Sequence, residues 1–566
     1  MPLMTSRIEA PTEKNDPHGH ADRGVKRGWV SWKDLVALLV GGVPFALFYR
    51  TPISFPDGGL IVTPAERILR GQVPYRDFFS ELAPGPFYIQ AVLFHLLGMD
   101  LAGIRVPVWI MGVVLTWLLY RLSRKLLDGP LSLLPPLVMV SVFDFVSYTI
   151  SHHWWGPLFF MLMLICLAAG GGQAVREKNG GPRRRLFMAG LLAAWTLLCM
   201  QSLGAWAIVS VVAWLLLVER LAAEASWRDS VRRGLGSAAW FLLGTGAVMG
   251  PAVSYFWAHG ALGAWVYDNF TFLFTNYLPS AMWLPGYPHD RFMGALHWLI
   301  REPSSSTLFM FAALIFFSVV APAIALAGAS WQIRPKRPTG EPRARLLLLY
   351  LLAGFGCFVS QLHSPDMGHL LWGAPIILIL FIDAWNEAVR EWGAWRRPSI
   401  AVAAVAIALV ACGAYRRATP AARMNSPVQT RRGTIYVEPE DAAMFQGWVN
   451  AIQHAVPPGD ETFFFPYDAE FYYLTATRNP TRYDVLLSGF HTPEQFEEAI
   501  SSIRARQPAY IFMFDRYMRQ TSGSYLPGDP QDGYGPDPME KSLQAPQSHY
   551  RLADELEGMK VWIRKR

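Results

Sequence analysis

Residues 101–120 read LAGIRVPVWIMGVVLTWLLY, a run with one charged side chain, Arg105, placed near its start. About 20 apolar residues in a helix cross the roughly 30 Å hydrocarbon layer of a bilayer, and a helix pairs its own backbone polar groups where water is absent. Working outward, comparable runs recur at 34–50, 130–147, 157–172, 187–201, 204–219, 236–256, 305–328, 345–361, 369–385 and 398–414. About eleven spans follow. Within 187–219, Gln201, Ser202 and Gly204 mark either a short polar hairpin between two spans or an interruption of one bent helix, and the parity of the topology depends on which. The composition agrees: 52% hydrophobic and 16% charged residues over 566 positions point to lipid as the solvent.

Basic residues concentrate in six segments, for example Arg121 to Lys125, Arg183 to Arg185, and Arg334 to Arg345. With eleven spans all six fall on one side, which the positive-inside rule assigns to the cytoplasm. The N-terminus is then inside, while residues 51–100, the basic-poor loops 148–156 and 362–369, and the C-terminal region are outside. The excess of 50 basic over 43 acidic residues is therefore a topology signal, and no clustered soluble basic face calls for nucleic acid. Residues 1–33 read as a disordered cytoplasmic tail and 34–416 as the transmembrane domain. Cys166, Cys199, Cys357 and Cys412 sit in or beside apolar spans, which argues against a disulfide framework or a thiolate metal site.

After Arg416 the pattern changes. Strand-like runs at Thr462 to Phe465, Val485 to Leu487, Tyr510 to Phe514 and Val561 to Ile563 alternate with helical patterns at about 440–455 and 493–506. Residues 417–566 are expected to form a periplasmic α/β domain. A Pro- and Gly-rich stretch at 526–537 reads as a surface loop.

The first outside loop, 51–100, is too long and too patterned for a connector. It carries Asp57-Gly58-Gly59, the run Ala65 to Gly71, Pro74-Tyr75-Arg76-Asp77-Phe78, Glu81, and Pro84-Gly85-Pro86. Residues 63–70 suit a short interfacial helix ended by Gly71, and 85–97 a second; the pair would frame a cavity at the membrane surface. Two glycines after Asp57 let the chain turn tightly and the carboxylate face that cavity.

These motifs, with Gly98 followed by Arg105, resemble the polytopic GT-C glycosyltransferases, the class of the protein O-mannosyltransferases and the lipid A aminoarabinose transferase. The C-terminal run Tyr472-Tyr473-Leu474 and Arg478-Asn479-Pro480-Thr481-Arg482 is similar to the extra domain of bacterial relatives. The expected fold is thus a polytopic α-helical membrane protein of GT-C type, with about eleven transmembrane helices and a C-terminal α/β extracytoplasmic domain. The resemblance implies a multi-pass protein of the bacterial inner membrane. It implies inverting transfer of a sugar from a polyprenyl-phosphate carrier to an acceptor glycan, lipid or protein on the outer side, with membrane lipid and no nucleic acid as surroundings.

In that reading Asp57 is the general base that takes the acceptor proton, set against its plainer reading as a turn-forming or capping Asp. Gly58 stands where relatives often carry a second acid, so no metal ligand set is assigned, although a divalent cation is compatible with the loop acids. Asp77 and Glu81 are candidates to orient the acceptor or assist the base, with Tyr75 and Arg76 of the same motif as substrate contacts; Asp77 could equally pair with Arg76. The departing phosphate needs cations or donors. Arg105, His152 and His153 are candidates, as are His363, Asp366 and His369 in the short re-entry 361–369, for phosphate or sugar contact.

The rival reading is a transporter or lipid flippase, which places ionisable residues near the bilayer midplane. The spans are largely free of them, Asp144 excepted. A noncatalytic receptor or assembly factor is the third reading, to be preferred if Asp57 proves dispensable.

Overall fold

The computed structural model describes residues 31–47, 49, 58–142, 150–169, 181–221, 226–277, 296–297, 299–301, 303–334, 340–362, 367–391, 423–487, 490–514 and 537–565. Residues 1–30 of the expected tail, Asp144, the expected span at 398–414 and most of 526–537 lie outside the described residues, and the last two tail positions, 32 and 33, already belong to the first helix.

Apolar runs become helices nearly where expected: α1 (Trp32–Leu47), α2 (Gly59–Leu69), α3 (Gly85–Leu97), α4 (Ala102–Ser123), α5 (Leu134–Val142), α6 (His152–Ala168), α7 (Gly181–Cys199), α8 (Gln201–Val218) and α9 (Trp227–Ala258). Among the described residues five helices are both long and apolar enough to cross a membrane: Ala102–Ser123, Gln201–Val218, Trp227–Ala258, Thr307–Ile333 and Glu341–Gln361. The chain is a polytopic membrane protein.

Residues 187–219 form two helices, since Met200 is extended (φ −155°, ψ 101°) and breaks the helix before Gln201. The two pack closely because Gly204 has no side chain where Leu197 lies 2.6 Å from the place of a Cβ. In lipid no hydrophobic drive brings helices together, so contact depends on close approach at small residues. Gly190 against Phe241 and Gly244 against Phe187 join α7 to α9 in the same way. The expected span 369–385 is divided into Met367–Gly373 and Pro375–Glu391, because Pro375 lacks the N–H that would continue the ladder. The span expected at 305–328 is interrupted by a π-helical turn, Phe316–Val320.

The C-terminal region holds a hairpin of β1 (Ser426–Thr430) and β2 (Gly433–Val437) and a four-stranded sheet of order β3-β4-β6-β5. Here β3 is Phe463–Phe465, β4 Tyr510–Phe514, β5 Tyr550–Leu556 and β6 Met559–Arg564; β3 and β4 are parallel and the other pairs antiparallel. Helices Pro439–Ala455 and Pro493–Arg506 match the helical patterns. Strand alternation buries both faces. Phe464 joins Trp448, Phe471 and Phe512 in the larger core, while Phe463 and Phe465 pack with Phe496, Ile500 and Met513. Val485 to Leu487 is not a strand: Leu486 N–H bonds Pro466 O, and the segment buries Leu486 and Leu487, with Val485 half-buried, without joining a ladder.

The larger core continues into the helical region, since Ile61, Val62 and Ala65 of α2 and Phe94 of α3 share it with Phe471 and Tyr473. The Phe94 and Tyr473 rings stack at 5.5 Å. Helix α2 therefore starts four residues earlier than the expected interfacial helix, and Thr63, Glu66 and Arg67 are buried beneath the C-terminal region.

Candidate active site at the covered end of the helices

Asp57, His363 and Asp366 lie outside the described residues. Of the other candidates, Tyr75 and Arg105 touch the C-terminal region, while His152, His153 and His369 form a cluster of their own. His152 and His153 open α6, where Ser151 caps the first turn by accepting from His153 N–H. The His153 ring lies 4.0 Å from His152, 4.9 Å from His369 and stacks on Trp372 at 5.9 Å. Trp154 sits between Trp372 and Phe45 near the end of α1. Residues more than 200 positions apart in sequence thus form one imidazole and indole cluster.

The turn carrying the loop acids adjoins this cluster through the α7–α8 joint. Gln201 Nε2 donates to Glu81 O at 2.8 Å, and the neighbouring Met200 packs against Gly156 of α6 and lies 3.9 Å from Gln361 Nε2. Glu81 is half-buried. Asp77 is committed locally: Arg76 donates to it at 2.9 and 2.8 Å and Val73 N–H at 2.7 Å, and the Arg76 hydrogen bond holds its carboxyl below the usual range. Arg76 is exposed and also reaches His259 O. Tyr75 points inward, wholly buried, with its hydroxyl donating to Leu82 O (2.9 Å) and near Asn269 Oδ1 (3.3 Å). Its φ of 69° is a left-handed conformation that a tyrosine holds only when surroundings over-determine it. Arg482 donating to Tyr75 O at 2.7 Å supplies part of that restraint. Arg105 donates to Thr434 O of β2 at 2.9 Å, tying α4 to the C-terminal region.

The C-terminal region fixes the loop through residues that sequence reading gave no role. Arg67 donates to Asp484 (2.7 Å), Gln72 (2.7 Å), Thr481 O (3.0 Å) and Asp77 O (3.1 Å). Glu66 pairs with Arg432 (2.5 Å) and Arg70 (2.7 Å); burial raises its carboxyl, against those two cations. At Gly59 a Cβ would fall against Glu470 N and 2.8 Å from the Ala469 carbonyl carbon, so only glycine admits that backbone. The runs containing Glu66, Arg67 and Arg482 stood out in the sequence, but their partners are some 400 residues away. Among the described residues no group of three or more His, Cys, Asp or Glu side chains is arranged to hold a metal ion.

A family model described as dolichyl-phosphate-mannose-protein mannosyltransferase matches residues 81–249. No curated protein sequence matches the chain. The apo Archaeoglobus fulgidus oligosaccharyltransferase aligns at 10% identity over 88% of this chain and 71% of that one, with a TM-score of 0.50. The same organism's AglB, in complex with an inhibitory peptide and a dolichol-phosphate, aligns at 10% identity over 87% and 70%, also with a TM-score of 0.50. ArnT from Cupriavidus metallidurans bound to undecaprenyl phosphate aligns at 14% identity over 94% and 98%, with a TM-score of 0.47.

Proposed function

We propose that this chain, a membrane protein with the GT-C fold, is a glycosyltransferase that moves a sugar from a polyprenyl-phosphate carrier to an acceptor on the outer side of the membrane, with inversion. The observation that carries the reading is the convergence of His152, His153 and His369 on α6 and the helix Met367–Gly373, with α6 linked through Met200 and Gln201 to the turn whose Glu81 opens the segment matched by the mannosyltransferase family. The description of that family and the dolichol-phosphate bound by AglB support a polyprenyl-phosphate as the carrier.

In this reaction the acceptor oxygen attacks the anomeric carbon as the bond from that carbon to the carrier phosphate breaks. The acceptor proton passes to the Asp57 carboxylate as general base, and the phosphate leaves with the bonding pair. Donors placed where that charge develops lower the barrier, a role suited to His152, His153 and His369. Glu81 orients the acceptor, on a turn held by Gln201 and Asn269. Asp77, Tyr75 and Arg105 brace the loop in place of touching substrate.

The test is sugar transfer from a panel of polyprenyl-phosphate sugars by purified protein in lipid, comparing wild type with Asp57→Asn and with His153→Ala, with folding of each checked. Transfer by wild type, its collapse in Asp57→Asn and a loss of about 10²-fold in His153→Ala are expected. Equal transfer by wild type and Asp57→Asn rejects that base, and no transfer from any donor rejects the enzyme class.

A further inference from the structure

Residues Tyr267–Thr271 and Leu273–Tyr277 form π-helical turns, an uncommon geometry that recurs at functional sites. They lie between the loop and the C-terminal region, with Phe272 packed on Phe79 and Phe490. Two consecutive side chains face the Ser80–Leu82 turn. Asn269 Nδ2 donates to the carbonyls of Ser80 (3.1 Å) and Leu82 (3.2 Å), and its Oδ1 accepts from Trp265 Nε1 (3.1 Å) and the Tyr75 hydroxyl. Asp268 beside it faces the Ser80 amide, is 2% exposed, and has an Oδ2 with no hydrogen-bond partner among the described residues.

An ionised carboxylate with an unpartnered oxygen in so dry a place is costly, which favours the protonated form. The charged and titratable groups around Asp268 are Glu81 on the turn, Tyr75 behind it, and Arg482, Tyr483 and Glu498 from the C-terminal region. Arg482, the cation of the set, is already engaged with Tyr75 O and Glu498.

We propose that Asp268 is a positioning residue that holds the Ser80–Leu82 turn, and with it Glu81, in the geometry required for transfer. This rests on the glycosyltransferase reading. Burial pushes the Asp268 carboxyl up to about 8, opposed by Arg482. The proton is retained at neutral pH and lost above it, which places a new negative charge beside Glu81 and Glu498.

The experiment compares wild type with Asp268→Asn, neutral and near-isosteric, in lipid from about pH 5 to about pH 9.5, reading kcat, KM and Tm. An ordinary Asp at 3.8 in the unfolded chain that titrates near 8 in the folded protein binds an extra proton when folded between those values. Wild type should therefore lose Tm relative to the variant as pH rises toward 8, with a constant difference above that. Wild-type kcat should fall above pH 8, while Asp268→Asn stays flat through that range. A pH-independent Tm difference overturns the held proton, and the same alkaline fall in both proteins overturns the positioning role. Absence of transfer by wild type overturns the glycosyltransferase reading and the positioning role with it, while the Tm comparison still decides whether the proton is held.

Discussion

Replacing Arg67 by alanine should loosen the C-terminal region from the loop it covers. The Arg67 and Asp484 side chains are 6% and 4% exposed and 2.7 Å apart. Removing one partner of a buried pair costs about 3–5 kcal/mol, because the other charge stays desolvated and unpaired. Asp484 keeps one hydrogen bond from Asn479 at 2.9 Å, which favours the lower end of that range. Two backbone hydrogen bonds report docking: Phe79 N–H to Arg482 O (2.9 Å) and Leu101 N–H to Arg432 O (3.0 Å). Hydrogen exchange at those amides should speed up by roughly two to three and a half orders of magnitude, at about 1.4 kcal/mol per tenfold. The double variant Arg67→Met with Asp484→Leu buries no unpaired charge and should recover most of the protection. Less than about a tenfold change in Arg67→Ala, or a double variant as unprotected as the single one, would refute the reasoning.

Two further outcomes follow from the same interface. Gly59→Ala drives a methyl group into the Ala469–Glu470 backbone and should cost about 1–3 kcal/mol, seen as a lowered Tm and earlier proteolytic release of the C-terminal region; Gly236→Ala, with open space around it, should leave both unchanged. His491 is 6% exposed and accepts Leu487 N–H at Nδ1, and burial lowers its pKa to about 3. The unfolded chain therefore binds the extra proton between about 3 and 6.5, so wild-type stability should fall as pH drops through that window. In a urea titration His491→Asn should lack this component, and identical pH dependence in both proteins would refute it.

Local chemistry determined much of what could be read from the chain alone. Apolar length located the helices of α4, α8, α9 and 341–361, because a span must satisfy its own backbone within one continuous segment. The Phe463–Phe465 and Tyr510–Phe514 runs marked strands buried on both faces, whereas β5, whose residues from Arg551 to Glu555 are exposed, gave no apolar signal. Candidate histidines could be named but not assembled: nothing near His153 in sequence marks His369, and a ring contact of 4.9 Å is made by the packing of helices. The same limit hid the loop's supports. Arg67 and Asp484, Glu66 and Arg432, Gly59 and Glu470 are each compatible with ordinary local roles, and they become partners when the C-terminal region folds back onto α2. Periodicity and length act within one element and are written in the chain, whereas burial, pairing and the raised Asp268 carboxyl are set by what distant segments exclude from water.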